Sequence, residues 1–478
     1  MRTLRVLELY SGIGGMHCAL TESCLPFEVI LAIDINTTAN KAYRHAFPAT
    51  KLSECGIETL TEKQLDEWKI DMIVMSPPCQ PFTRVGKKLD TEDLRTKSFL
   101  HLLSLLPRLT NCPSYILVEN VKGFESSQTR DRLIETLHTC RFNLQECLLT
   151  PLQFGIPNSR LRYYLIAKRA PLKFCFKTTE KILDTIPSCA SRWLSYKLRK
   201  RHGSSTVSGS AETTLTTDTK KSAGITPSST VATDTADTSA NTSGGNDVPI
   251  TTISSNELLS QNCSNISGEG DKKGHLVVPE MLSSNSCLPG RDESENTDKY
   301  RALLKYGHNM RQLETDVRKL SEECVNLEHF LEQREPDYFN AYNLTDKELR
   351  RFIVMDIVHP CLTKTICFTK RYGHFMEGAG SIVQMTTDVE AVKRASEFKD
   401  SAMELQNRDE WGTEEISIIR ALQLRYFTPR EISNLLCFPQ NYSFPEDLSR
   451  IQAYRLLGNS LNVHVVSVLL RMLVEGDT

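Results

Sequence analysis

Along residues 4–170 the chain alternates short apolar runs with stretches of helical spacing. Leu4-Arg-Val-Leu-Glu-Leu-Tyr10 predicts a buried strand, running directly into Ser11-Gly-Ile-Gly-Gly15, after which Met16 to Cys24 has helical spacing. Phe27 to Ile33 predicts a second strand, ending at Asp34. Leu60 to Trp68 predicts a helix with Thr61 as N-cap, leading into the apolar run Met72 to Met75. Helices are expected over Ser98 to Leu109 and Thr129 to His138, with a strand, Ser114 to Val118, ending at Glu119-Asn120-Val121 between them. An extended segment, Asn143 to Leu149, then leads to Asn158 to Ile166, where alternation points Arg160 and Arg162 to one face of a strand. Strands alternating with helices predict an α/β fold with a doubly wound, mostly parallel sheet.

The pattern fails between about Ser195 and Asn296. Lys197-Leu-Arg-Lys-Arg201 is followed by Ser/Thr/Gly/Asn-rich sequence such as Thr226-Pro-Ser-Ser-Thr-Val-Ala-Thr-Asp-Thr235, with few aromatics and no periodicity. Such a segment cannot bury enough apolar surface to order itself, so residues 195–296 read as a disordered insertion. A charged helical stretch is expected from Asp298 to Glu332, with apolar positions at Leu303, Leu304, Leu320 and Leu327, and a second helix from Thr345 to Phe352. Thr365-Ile-Cys-Phe-Thr-Lys-Arg-Tyr-Gly-His374 then leads to Gly378-Ala-Gly-Ser381. Near the end Phe427-Thr-Pro-Arg-Glu431 starts a helix, with Thr428 as N-cap and Pro429 at N1, and Tyr454 to Ser460 enters a last apolar helix, Val463 to Leu473.

Composition narrows the class. Of 478 residues 40% are hydrophobic, enough for a large core or two domains. Fifty-seven basic and 59 acidic residues leave a formal charge of −2, so any nucleic-acid surface must be a local patch. The 15 cysteines include no CxxC pair and no regular spacing with histidines, so neither a zinc site nor a disulfide framework is indicated. With no N-terminal apolar leader and no run of about 18 apolar residues, a soluble protein of a reducing cytosolic or nuclear compartment is expected.

Chemistry collects at the predicted strand ends. Pro77, Pro78 and Pro81 stiffen the loop that carries Cys79, which fits either a positioned nucleophile or a buried cysteine at a proline-rich turn. The Ser11–Gly15 loop with Asp34 about 20 residues on suits a nucleotide-like ligand, its glycines allowing close approach and Asp34 reaching ribose hydroxyls. Arg84, Lys87 and Lys88 fit a solvated turn or a phosphate contact. Strand ends of a parallel sheet converge on one edge, where Glu119 and Cys79 could meet. Lys370 and Arg371 beside a cysteine and aromatics suit either an unstacked nucleic acid or a glycine-rich hairpin of a small domain.

In order, Ser11-Gly15, Pro77-Pro78-Cys79-Gln80, Glu119-Asn120-Val121, Arg160-x-Arg162 and Gly458-Asn459-Ser460 resemble the motif set of the cytosine-5 methyltransferase family, over roughly residues 1–178 and 424–478. Cys367-Phe368-Thr369 with Tyr372-Gly373 resembles the family's tRNA-methylating branch; Cys437, where glycine is expected, and the insertion are departures. The resemblance implies a class I, Rossmann-like catalytic domain, a smaller target-recognition domain over 297–423 and a return to the first domain from 424. It implies S-adenosylmethionine as methyl donor, no metal, and cofactor contacts at Tyr10, Ser11, Gly12, Ile13, Gly14, Gly15, Asp34, Ile35, Ile57, Glu58, Ser76, Pro78, Asn459 and Ser460. Cys79 would be the nucleophile, Glu119 would serve cytosine N3, and Arg162 with Arg160 would hold O2. RNA contacts are implied at Arg84, Lys122, Cys367, Phe368, Thr369, Lys370 and Arg371. The expected partner is tRNA, tRNA-aspartate first, with a monomeric enzyme in the cytoplasm and nucleus; methylation of DNA is the alternative.

Because residues 203–296 lack a core-forming pattern, replacing them with a short flexible linker should leave methyl transfer and the thermal midpoint nearly unchanged. A large loss of either would show that the segment is ordered or contacts substrate.

Overall fold

The computed structural model describes residues 2–78, 96–193, 320–402 and 411–477. Cys79, Arg84, Lys87, Lys88, the insertion and most of the charged stretch from Asp298 lie outside the described residues.

Seven strands form one sheet: β1 (Leu4–Leu9), β2 (Phe27–Ile33), β3 (Leu52–Ser53), β4 (Met72–Met75), β5 (Tyr115–Val121), β6 (Phe142–Leu149) and β7 (Arg162–Arg169). Their spatial order is β3-β2-β1-β4-β5-β7-β6. The chain pairs β3 to β2, β2 to β1, β1 to β4 and β4 to β5 in parallel, whereas β7 runs antiparallel to both β5 and β6. The sheet is thus doubly wound and mostly parallel, as expected, with β7 alone reversed. Reversal matters for the site: it brings the first residue of β7, Arg162, opposite Val121 at the carboxyl end of β5.

Helices α1 (Gly15–Ser23), α2 (Thr37–Ala46), α3 (Glu62–Trp68), α4 (Lys97–Leu105) and α5 (Gln128–Thr139) connect the strands. Strand residues alternate between two cores, as a two-residue period requires. Leu7, Leu9, Ile73, Met75, Ile116 and Val118 pack with Leu65, Phe99, Leu102 and Leu133. Val6, Met72, Val74 and Leu117 pack on the other face with Met16, Leu20 and the helix Val463–Val474. Each fully buried Leu, Ile or Val side chain contributes about 1.5–3 kcal/mol. The stretch Arg450–Val474 would be long and apolar enough to cross a membrane, but 78% of its window is buried within the protein.

Several elements differ from expectation. Arg160 precedes β7 rather than sharing a strand face with Arg162, because the chain there makes a single bridge, Ser159 with Ile366, before entering the sheet. The second helix contracts to one turn, Asp346–Leu349, followed by a 3-10 turn, Phe352–Val354; this kink lets Leu349, Phe352 and Ile353 all enter the core. Tyr454 to Gly458 is itself helical, within Arg450–Gly458, and its overlooked signal is the capping box of Ser449 and Gln452.

A small sheet, β10-β9-β8, is formed by β8 (Ile357–Val358), β9 (Ile382–Gln384) and β10 (Leu424–Tyr426). β10 lies past the seam expected at 424, so the small sheet draws a strand from the returning segment. Arg425 on β10 makes a bidentate, fully buried pair with Glu431, both bonds 2.8 Å. Removing one partner of such a pair strands a buried charge and costs on the order of 3–5 kcal/mol. Cys437 has φ +63°, the left-handed conformation that suits the glycine expected there, and its buried side chain holds that position nonetheless.

Behind the glycine loop Glu8 is fully buried. The Tyr43 hydroxyl donates to its carboxyl at 2.7 Å and the His17 amide at 3.3 Å. Burial pushes the Glu8 carboxyl up to about 8, only partly opposed by these bonds, so it is protonated at neutral pH. Since its folded value lies above the unfolded one, its contribution is fully present below about pH 4.5 and is lost as pH rises towards 8. Glu8→Gln should therefore flatten the fall in unfolding free energy across that window, a difference on the order of 4 kcal/mol. Parallel denaturation curves for the two proteins would contradict this.

Candidate active site

The carboxyl edge of the sheet gathers three loops. After β1, Tyr10 (φ +54°), Gly12 (φ +52°) and Gly14 (φ +82°) all adopt left-handed backbone, and a Cβ on Gly14 would stand 2.2 Å from the Phe47 ring. Asp34 does not project freely: one carboxylate oxygen accepts from the Gly12 amide and the other from the Asn36 amide, each at 2.8 Å. Burial raises its pKa, and these two amides oppose the rise. The Ser76 hydroxyl donates to the Tyr10 carbonyl at 3.1 Å, linking the ends of β4 and β1. Tyr442, which sequence reasoning missed, donates to the Ile13 carbonyl at 2.9 Å from the far end of the chain. Gly15 lies against Ser460 and Leu461.

This cradle fits an amino acid joined to a nucleoside. The Ser11 hydroxyl is buried without a partner, an orphan that a polar ligand would satisfy. Ile35, 72% exposed beside Asp34, offers an apolar face to a base. Ile57 departs from expectation, since its side chain is only 3% exposed and packs into the core beneath the sheet edge, leaving its backbone for any ligand contact. Glu58 and Lys122 are exposed and Pro78 half-buried.

On β5, Asn120 donates to the Pro77 carbonyl at 3.4 Å and so ties β5 to the loop whose next described residue, Pro78, adjoins Cys79 in sequence. Glu119 is 8% exposed, with Arg162 Nε 3.6 Å from its carboxylate. Burial raises the Glu119 pKa, and Arg162 and Arg160 only partly offset it, so the carboxyl holds a proton more readily than an ordinary glutamate. Arg162 is also hydrogen-bonded to the Leu161 carbonyl at 2.8 Å and reaches Cys367 Sγ at 3.6 Å.

Arg160 corrects the expectation that it grips a substrate carbonyl. It is 3% exposed, and its terminal nitrogens donate to the carbonyls of Phe368 (3.1 Å), Gly458 (3.3 Å) and Ser460, and to Cys367 Sγ (3.2 Å). Burial would raise the Cys367 thiol, but the two guanidiniums outweigh it and hold the thiol below its usual range. Phe368 is likewise no RNA contact through its side chain: at 2% exposure it packs edge-on against Tyr372 and Phe427. Thr369 and Lys370 are half-buried, and their backbone crosses Gly458 so closely that a Cβ there would lie 2.2 Å from Thr369 C and Lys370 N. Arg371 is exposed and lies over the Phe375 ring at 4.8 Å, a surface pair that the sequence signals only as adjacent basic and aromatic residues.

A model of the C-5 cytosine-specific DNA methylases matches residues 4–475. The chain belongs to that family. The human tRNA (cytosine(38)-C(5))-methyltransferase is 39% identical to it over 477 residues, 99% of this chain and all of that protein. A Dictyostelium discoideum DNA (cytosine-5)-methyltransferase is 33% identical over 483 residues, covering 100% of this chain and 96% of that one. The crystal structure of a Spodoptera frugiperda DNMT2 mutant is similar with a TM-score of 0.64 and 32% identity, over 99% of this chain and 100% of that one. Family membership makes the chain a cytosine-5 methyltransferase and implies S-adenosylmethionine as methyl donor, which the orphan Ser11 hydroxyl and the glycine loop suit.

The Gly458 contact is testable in this family member. Gly458→Ala forces the 369–370 backbone away, and overpacking of this kind costs about 1–3 kcal/mol. The thermal midpoint should fall by several degrees; an unchanged midpoint would show that the two segments separate freely.

Proposed function

We propose that the enzyme methylates carbon 5 of a cytosine in the anticodon loop of tRNA, tRNA-aspartate first, through a covalent adduct of Cys79 with cytosine C6. The observation that carries the reading is the buried Glu119–Arg162 pair at the edge where Asn120 fastens the loop leading to Cys79. Cytosine C5 is a poor nucleophile. Addition of the Cys79 thiolate at C6 makes C5 enamine-like, and loss of the C5 proton after methylation expels the thiol and restores the ring. S-adenosylmethionine supplies the electrophilic methyl group when bound. Glu119, holding its proton unusually well, hydrogen-bonds N3 and balances charge as the thiolate adds. Arg162 holds O2, while Arg160 acts behind it, fixing the Cys367-Phe368 and Gly458–Ser460 segments.

Three considerations support RNA as the substrate. The relatives named as tRNA methyltransferases match over the full length, and a loop cytosine costs less to extrude than one in a duplex. Lys370, with Arg371 stacked on exposed Phe375, supplies a local cationic and aromatic surface on a chain of net charge −2. The Dictyostelium relative named as a DNA methyltransferase keeps DNA as the second reading.

Bisulfite sequencing of tRNA and genomic DNA after incubation with purified enzyme decides between them. A new 5-methylcytosine in the anticodon loop, with DNA unmodified, is expected; modified DNA beside unmodified tRNA would promote the second reading. Cys79→Ala should abolish methyl transfer with cofactor binding retained, and Glu119→Gln should slow it by about 10²-fold. Lys370→Glu or Arg371→Glu should weaken tRNA binding and flatten its salt dependence without changing cofactor affinity.

A further inference from the structure

The glycine loop after β1 is held by a side chain from the returning segment of the chain. Within the loop the Gly14 amide donates to the Ser11 carbonyl at 2.8 Å, closing a turn. The Ile13 carbonyl belongs to the same peptide plane as that amide. A helix extended backwards from α1 would satisfy it with the His17 amide, four residues on. That amide donates instead to the buried Glu8 carboxyl at 3.3 Å. Ile13 is buried, so its carbonyl needs a donor from elsewhere in the protein. Tyr442 supplies it across most of the sequence, its hydroxyl donating at 2.9 Å.

The donor is itself fixed. Tyr442 lies in the connection between the helices Pro429–Leu435 and Arg450–Gly458. Its buried ring packs against Phe438, with centroids 4.6 Å apart, and edge-on against Phe444 at 5.7 Å. The Arg430 guanidinium donates to the Tyr442 carbonyl at 2.7 Å and to the Pro439 carbonyl at 3.2 Å, which anchors the backbone as well. Farther along, Ser443 meets His45 at 2.9 Å and Asp447 pairs with Lys41, both on α2. These two contacts are exposed and contribute little. Among the described residues, the Tyr442 hydroxyl makes the one hydrogen bond from this connection to the glycine loop.

We propose, resting on the reading of the glycine loop as the cofactor cradle, that Tyr442 is a positioning residue for S-adenosylmethionine, its hydroxyl locking the Ile13–Gly14 peptide plane. Gly14 has φ +82° and no Cβ, so its own conformational preferences resist rotation of that plane only weakly. Without the hydroxyl a buried carbonyl is left unsatisfied, and rotation of the plane relieves it. The Gly14 amide then leaves the Ser11 carbonyl, and the turn that places the orphan Ser11 hydroxyl opens. Acting through the loop backbone, Tyr442 bears on cofactor affinity rather than on the rate once cofactor and substrate are bound.

Titration calorimetry of S-adenosylhomocysteine into full-length protein tests this, at a temperature where circular dichroism shows every variant folded. Tyr442→Phe keeps the ring and removes only the hydroxyl. Its dissociation constant and its KM for S-adenosylmethionine should each rise about tenfold, the equivalent of one lost hydrogen bond, with kcat and the KM for tRNA unchanged. In the cofactor-free protein, deuterium exchange of the amides of residues 11–15 should be faster in Tyr442→Phe. Ser443→Ala and Asp447→Asn, at the exposed contacts, should move the dissociation constant by less than about twofold. Unchanged affinity and exchange in Tyr442→Phe, a fall in kcat alone, or equal weakening by the two exposed-contact variants would overturn the proposal while leaving the cradle in place. Wild-type protein that does not bind S-adenosylhomocysteine would overturn the cradle reading, and the proposal with it.

Discussion

A buried guanidinium holds the catalytic edge together. Arg160 lies outside the sheet, almost without solvent, and its terminal nitrogens bind backbone carbonyls from two distant segments of the chain. Burying a cation costs several kcal/mol unless every donor finds a partner. Arg160 falls one donor short of that condition: the Cys367-Phe368 and Gly458–Ser460 segments together satisfy its terminal nitrogens, Glu119 is the nearby opposite charge, and Nε alone lacks a partner. The segments are consequently interdependent. The absence of a Cβ at Gly458 lets the 369–370 backbone pass close enough for one guanidinium to serve both.

Reversal of β7 explains why the paired arginines behave differently. Being antiparallel to β5, β7 presents its beginning where parallel strands present their ends, which sets Arg162 beside Glu119. Arg160, two residues earlier, has already left the sheet and turns into the interior. One arginine therefore sits beside the Glu119 carboxylate and the other is consumed by structure. The same logic separates Phe368, sealed among Tyr372 and Phe427, from Arg371 and Phe375 on the surface.

Much of this was legible in the residues because local physics decided it. Apolar runs marked β1, β2, β4 and β5, and Thr61 and Thr428 stood where capping boxes form. The loop glycines and Asp34 were found, but not that Asp34 spends both oxygens on backbone amides; that depends on how the strand ends pack. Strand direction carries no local signature, so the reversal of β7, and with it the division of labour between Arg160 and Arg162, was not legible. Nor was the burial of Ile57 and Phe368, since a hydrophobic residue inside a recognisable motif reads equally well as ligand contact or core. Cys437 shows the converse, a left-handed position filled by a residue that gives no hint of it.

The proposed mechanism turns on a sulfur–carbon bond from Cys79 to the cytosine. A tRNA anticodon stem-loop carrying 5-fluorocytosine tests it most directly, because fluorine at C5 blocks the proton loss that releases the thiol. With S-adenosylmethionine present, the account predicts a denaturation-resistant protein–RNA complex whose cross-linked peptide contains Cys79 and whose base carries the transferred methyl group. A cross-link on another cysteine, or methyl transfer to ordinary substrate with no trapped complex from the fluorinated one, would contradict it.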